Sequence, residues 1–285
     1  MENTAPEPND LRVSSWTDLV EQLYHGSWDA RIERYRSNYA FRGLSIAAYD
    51  MKTSLIRMGG DFVPLERHLL RNFRKYAHRD AAPGDSVWNW LSVAQHRGLP
   101  TRLLDWTYSP FVAMHFATAN VNRFDVDGVV WCVDYVKTNQ LLPEKLRAAL
   151  SKEGSHVFTV ELLDHAARDL ETFDGLTGLG DDEFVVFLES PSLDERIVNQ
   201  YAFFSLLSNP RTALDSWLAN HPELYRRIII PAELKWEVRD KLDQANINER
   251  VLFPGLDGLS RWLTRHYSPK NAARSFPPPD DPELR

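Results

Sequence analysis

Between Ala94 and Ala117 the chain reads AQHRGLPTRLLDWTYSPFVAMHFA. This stretch gathers His96, Thr101, Arg102, Asp105, Trp106, Thr107 and Ser109 around two predicted helix ends and one turn. Gly98 can supply a positive-φ helix stop, and Pro100 keeps the helix from resuming. Ser109-Pro110 then opens a second helix, with Ser109 as cap, Pro110 at the first helical position and apolar Phe111, Val112, Met114 and Phe116 beneath. An imidazole, a guanidinium, a carboxylate, hydroxyls and an indole held on rigid helix ends can bind a polar ligand and act on it. Taken singly, Ser109 need be only a cap, Asp105 only the partner of Arg102, and Trp106 only core. Their crowding is what marks a site.

A second candidate is Arg42, inside Ala40-Phe41-Arg42-Gly43-Leu44, which reads as a short buried strand ending at a glycine. A buried guanidinium needs a partner. That partner is either a structural carboxylate or an anion such as a phosphate or diphosphate, which the planar fork of donors suits. A third is the segment 65–79, LERHLLRNFRKYAHR, which puts Leu65, Leu69, Leu70, Phe73, Tyr76 and Ala77 at helical spacing. Its other side carries Arg67, Arg71, Arg74, Lys75, His78 and Arg79. Such a face is either solvated or a contact for a polyanion such as RNA.

The elements that must position these groups follow from composition. The chain has 285 residues, 43% of them hydrophobic, and can bury a core. A net charge of -7 argues against wholesale wrapping in nucleic acid. The single cysteine, Cys132, excludes a disulfide framework and a thiolate metal cluster and fits a reducing cytoplasm. The N-terminus has no secretory pattern, and no stretch reaches membrane-spanning length. Residues 1–10 are expected to be mobile, 11–267 to form one domain, and 268–285, with PPPDDP, to be a disordered tail. Further strands are predicted at 129–133, 184–188 and 225–230, a helix at 232–245, a loop and strand around Arg196 to Phe204, a short strand at 247–254, and a turn at Gly255-Leu256-Asp257-Gly258.

Phe41-Arg42-Gly43, the run from Gln95 to Thr107, Ser109-Pro110, Arg196-Ile197 with Gln200, and Leu252-Phe253-Pro254 with Leu256-Asp257-Gly258 together resemble the FRG-domain family. The likeness runs from about Trp16 to Leu263. A more distant resemblance is to ADP-ribosyltransferases. Arg42-Gly43 looks like their early Arg-Gly or His-Gly pair. Thr107-Tyr108-Ser109 ahead of Ala113 to Ala117 is similar to their hydroxyl-bearing strand and following helix, and Asn248-Glu249-Arg250-Val251-Leu252-Phe253 is similar to their late catalytic segment.

That resemblance implies an α+β fold, a split, mostly antiparallel sheet elaborated by helices in residues 65–97 and 138–170. It also implies NAD as substrate, with no metal. Cleaving the nicotinamide bond passes through an oxocarbenium-like state that a carboxylate on the ribose stabilises. Glu249 would take that role, or Asp105 if Glu249 faces solvent. Arg42 would hold the diphosphate or adenosine ribose, and Gly43 the nicotinamide amide. Thr107 or Ser109 would orient ribose or the carboxylate, Trp106 or Tyr108 would stack on nicotinamide, and His96, Thr101 and Arg102 would complete the cleft. The acceptor would be RNA or DNA if the 67–79 face engages it, a protein otherwise, in a toxin-like bacterial defence enzyme with an antitoxin or chaperone partner. The other readings are a nucleotide or nucleic-acid binding module without catalysis, and a metal-dependent nuclease drawing on His96, Asp105 and Glu249. The nuclease lacks a tight ligand pair.

Overall fold

Short apolar runs rich in Val, Ile, Phe and Trp, bounded by turn residues, become the strands of this chain. The structure, a computed structural model, describes residues 9–77, 84–176, 182–189, 191–192 and 194–270. Its strands are β1 (Asp10–Arg12), β2 (Trp28–Asp29), β3 (Arg34–Tyr35), β4 (Tyr39–Leu44), β5 (Leu104–Thr107), β6 (Gly128–Asp134), β7 (Phe158–Thr159), β8 (Val185–Glu189), β9 (Ala202–Leu207) and β10 (Tyr225–Ile230). Eight of them form one sheet in the order β1-β10-β6-β4-β5-β9-β8-β7, while β2 and β3 make a small hairpin. The end pairs β1·β10 and β7·β8 are parallel, and every other neighbouring pair is antiparallel.

One seam divides this sheet. β4 pairs with β6 from Tyr39 to Leu44, and β5 pairs with β9 along its whole length, but β4 and β5 meet only at Phe41 and Thr107. Beyond that pair Arg42 bridges the strands with its side chain, Nη1 donating to the carbonyl of Asp105 at 2.7 Å. A side-chain donor thus replaces a ladder amide, which satisfies a carbonyl that would otherwise lack a strand partner.

Period-2 alternation sorts the side chains between the faces. Ala40, Leu44, Leu104, Trp106, Val129, Trp131, Phe187 and Phe203 fill a core on one face that spans both halves. On the other face, Phe41, Val130, Cys132, Ile228 and Ile230 pack beneath the helices Trp16–Tyr24, Pro110–Ala117 and Lys235–Gln244. Val186, Leu188, Phe204 and Leu206 pack beneath Val87–His96, Glu144–Glu153 and Val160–Ala166. Each fully buried Leu or Phe contributes roughly 1.5–3 kcal/mol. The two helical groups share that face and leave a cleft where they meet above the seam. Gly43 lets the first group close in, since a Cβ there would lie 1.8 Å from the carbonyl oxygen of Ala113.

The mixed helix and strand content, the mostly antiparallel sheet and the helices within 65–97 and 138–170 agree with the sequence reading. Several boundaries do not. Residues 247–254 are not a strand: Asn248 caps a helical turn, Glu249–Leu252, by accepting the amide of Val251. Gly255 to Gly258 is not a free turn but the entry to the helix Leu256–Tyr267, and Gly258 packs against the carbonyl of Phe253. Arg196 and Gln200 lie on a helix, Glu195–Gln200, rather than a loop. The basic helix is Phe62–Ala77, with Leu65 and Tyr76 exposed and Glu66 buried on its inner face. His78 and Arg79 lie outside the described residues, as do 1–8 and 271–285 of the expected mobile ends. Asn9 and Asp10 already bond to β10, so the domain begins before residue 11. Among the described residues, no helix is long and apolar enough to cross a membrane.

Candidate functional site

The alternation of Leu104-Asp105-Trp106-Thr107 puts Leu104 and Trp106 in the core and leaves Asp105 and Thr107 on the cleft side of β5, opposite Phe204 and Ala202 of β9. The cleft above the seam is lined by Phe41, Arg42 and Gly43 from β4, by Asp105, Trp106 and Thr107 from β5, and by Gln95 and His96 at a helix end. Phe116, Arg196, Ile197, Gln200, Ala202 and Phe204 complete it. Its inner space is about 70 Å³, below the roughly 300–1,000 Å³ of sites that enclose a whole small molecule. It therefore takes one ring, ribose or phosphate, and the remainder of a larger ligand would lie across the mouth.

Local hydrogen bonds fix the polar groups. Gly98, at φ 80°, ends the helix Val87–His96 as its sequence requires, and the Leu99 amide returns to the carbonyl of Ala94. That leaves Gln95 facing β5, where its Nε2 donates to Asp105 Oδ2 at 2.8 Å. Thr101 Oγ1 donates to Gln95 Oε1 at 2.5 Å and so sets the amide's orientation. Asp105 Oδ1 has no hydrogen-bond partner among the described residues and is the oxygen open to a ligand. Thr107 Oγ1 donates to the carbonyl of Gln200 and accepts from the Ser109 amide. His96 Nε2 is hydrogen-bonded to Asp194, which also caps the helix carrying Arg196. The Asp194 carboxyl sits below its ordinary value: burial works against this, and the Ile197 amide and His96 outweigh it.

The expected site residues divide in two. Arg42, Gly43, His96, Asp105, Trp106 and Thr107 meet in the cleft. Thr101 stands behind it as a positioning residue. Arg102 is a structural cation: it is 3% exposed, donates to both oxygens of Glu66 and pairs with Asp174, not with Asp105. Ser109 serves as a helix cap, accepting the Val112 amide. Trp106 cannot stack freely on a ligand, because its indole packs against Phe187 and donates to Ser205. Tyr108 is stacked on Phe203 at 4.0 Å and bonded to Glu189, and burial followed by that carboxylate raises its phenol pKa.

Glu249 is the main correction. It does not line the cleft. Its carboxylate receives two hydrogen bonds of 2.7 Å from Arg265 and lies 3.4 Å from Arg239. Arg265 is also bound by Asp243, and Arg239 donates to the carbonyl and Nδ1 of His115. Burial would raise the Glu249 carboxyl, but Arg239 and the Arg265 hydrogen bonds hold it well below the usual carboxylate range. Burial, with Arg239 close by, keeps the His115 ring neutral. The cluster adjoins the cleft wall without entering it: Gln200 Nε2, on the lining, donates to the carbonyl of Leu252.

Sequence reasoning named Gln95, Arg196 and Gln200 only as part of the family-like pattern and Phe204 only as part of a strand, and gave none of the four a role in the cleft. Asp194 as a cap with acidic Glu195 in the first turn is a readable helix start and could have placed Arg196 and Gln200 on a helix. On the helix Phe62–Ala77, Arg67 pairs with Glu171, Arg71 contacts His68, and Arg74 lies over Trp90. Lys75 lies over Tyr76. The basic face exists, with Asp169 and Glu171 set against it across a shallow groove. Among the described residues, no group of three or more His, Cys, Asp or Glu side chains could hold a metal ion.

No curated protein and no solved structure matches the chain. A family model does, over the stretch that carries β4, the turn after His96, β5 and the helix behind Gly43. The model is that of the FRG domain, and it matches residues 37–126.

Proposed function

We propose that the cleft binds a nucleotide by its phosphates and that the chain is an NAD-dependent ADP-ribosyltransferase whose working carboxylate is Asp105. The observation that supports this is the meeting of Arg42, Asp105 and Thr107 at one seam between β4 and β5. Arg42 and Arg196 on the lining favour an anion, and Asp105 is the lining's one carboxylate. With a ribose at the cleft floor, Asp105 Oδ1 accepts from its hydroxyl while Gln95, oriented by Thr101, holds the other oxygen. That contact strengthens as the carbon bonded to nicotinamide becomes cationic. Nicotinamide leaves with the bonding electron pair, and the ADP-ribosyl carbon is taken by an acceptor nucleophile. RNA reaching the Arg67, Arg71, Arg74 and Lys75 face is the favoured acceptor and a protein the other. A cytoplasmic, toxin-like role in defence, restrained by an antitoxin or chaperone, fits this reading.

The test is nicotinamide release and uptake of labelled ADP-ribose by total RNA and by lysate protein. Wild type should do both, and Asp105→Asn should lower the rate about 10²–10³-fold at an unchanged melting temperature, since asparagine can still accept from Gln95. Equal rates in the two proteins would remove Asp105 from the chemistry. A second reading, a nucleotide-binding module without turnover, is favoured by Glu249 being committed to Arg239 and Arg265. It predicts NAD binding with no nicotinamide released by either protein.

A further inference from the structure

We infer that Arg196, Phe253 and Arg261 form an outer phosphate subsite continuous with the cleft, where the part of the nucleotide that does not fit inside is held. This rests on the nucleotide-binding reading above. Space is the first reason: about 70 Å³ at the floor leaves most of a dinucleotide outside. Continuity is the second. Arg196 lines the cleft and its guanidinium also lies 5.0 Å from the centre of the Phe253 ring. Phe116, another lining residue, meets the same ring edge-on at 6.2 Å. The carbonyl of Leu252 is bonded to Gln200 of the cleft wall, so Phe253 is fixed at the mouth rather than swinging in solvent.

Arg261 is the third reason. It stands on the exposed side of the helix Leu256–Tyr267, 5.7 Å from the Phe253 ring, with no carboxylate partner among the described residues. Two guanidinia are thus drawn to one half-buried ring on the cleft's rim. The ring's π face attracts each of them and presets their planes, so less side-chain freedom is lost when they grip a ligand. Two forks of N–H donors, each within 6 Å of one ring beside a narrow pocket, can each take one of the two phosphates that follow a ribose.

The experiment compares wild type and Arg261→Gln, which keeps a long polar side chain on the helix surface, by calorimetric titration with ADP-ribose and with phosphate-free nicotinamide riboside. In wild type both should bind, ADP-ribose more tightly and with a steeper salt dependence. Arg261→Gln should weaken ADP-ribose about tenfold, in line with loss of one charge-assisted contact, and leave the riboside unchanged. A parallel weakening of both ligands, or of neither, overturns the subsite and leaves the nucleotide reading standing. Wild type that binds neither ligand overturns both.

Discussion

Glu249→Ala is expected to lose about 3–5 kcal/mol of folding stability, the usual consequence of stripping one partner from a buried ion pair. The loss falls mainly on Arg239. Its side chain is fully buried, burial pushes its pKa down to about 10 despite Glu249, and Glu249 is its one ion-pair partner among the described residues. Arg265 keeps Asp243. A domain has only about 5–15 kcal/mol in hand, so the variant should unfold at a markedly lower urea midpoint. Its surviving folded fraction should retain the cleft and bind ADP-ribose with wild-type affinity. A wild-type midpoint would show that the cluster does not hold the fold, and a folded variant without ligand affinity would return Glu249 to the site.

The same group sets an acid dependence. Its folded pKa is depressed, so its contribution is complete above the unfolded carboxyl value of about 4.3 and fades as pH falls below that toward the folded value. The stability gap between wild type and Glu249→Gln should therefore be flat from neutral pH to about pH 5 and narrow below about pH 4. A gap that widens toward acid would mean the carboxyl is raised instead.

Gly43→Ala should be nearly as damaging. The added Cβ would sit 1.8 Å from the Ala113 carbonyl oxygen and 2.6 Å from the Ala117 nitrogen, both backbone atoms of the helix Pro110–Ala117. Flexible side chains can yield to such a contact, but a helix must move as a unit. Overpacking costs about 1–3 kcal/mol and occasionally more, and this contact belongs at the upper end. For a domain of this size that is a fall of roughly 6–12 °C in melting temperature. Phe116 rides on the same helix and lines the cleft, so ligand affinity should drop as well. An unshifted melting curve would mean that the helix can stand off β4 at little cost.

What the sequence made visible is what is decided locally. Gly98, Pro100, Ser109 and Pro110 end or start helices through their own backbone chemistry, and β4, β6, β8 and β10 are apolar runs too short and too rich in branched or aromatic residues for helices. Half of the cleft could be read the same way, because Gln95 to Thr107 is one continuous segment. The rest depends on partners far along the chain. Arg102 pairs with Glu66 and Asp174 rather than nearby Asp105, and nothing in its neighbours announces that. Asn248 to Phe253 is a short apolar run that suits a strand or a helical turn equally. The Asn248 cap and the pull of Arg239 and Arg265 on Glu249 decided for the turn. Arg196 and Gln200 reach the cleft because β9 lies beside β5, a matter of strand order rather than of residue type.

The single backbone pair joining β4 to β5 also has a mechanical meaning. A sheet stitched along its full width bends as a plate, whereas this one has a compliant line running through it, pinned at one end and spanned elsewhere by the Arg42 side chain. A bound anion that competes for that guanidinium would loosen the span it came to occupy, and faster amide exchange at Arg42 and Gly43 in the ligand-saturated protein would register it; slower exchange there would mean the ligand acts as a brace.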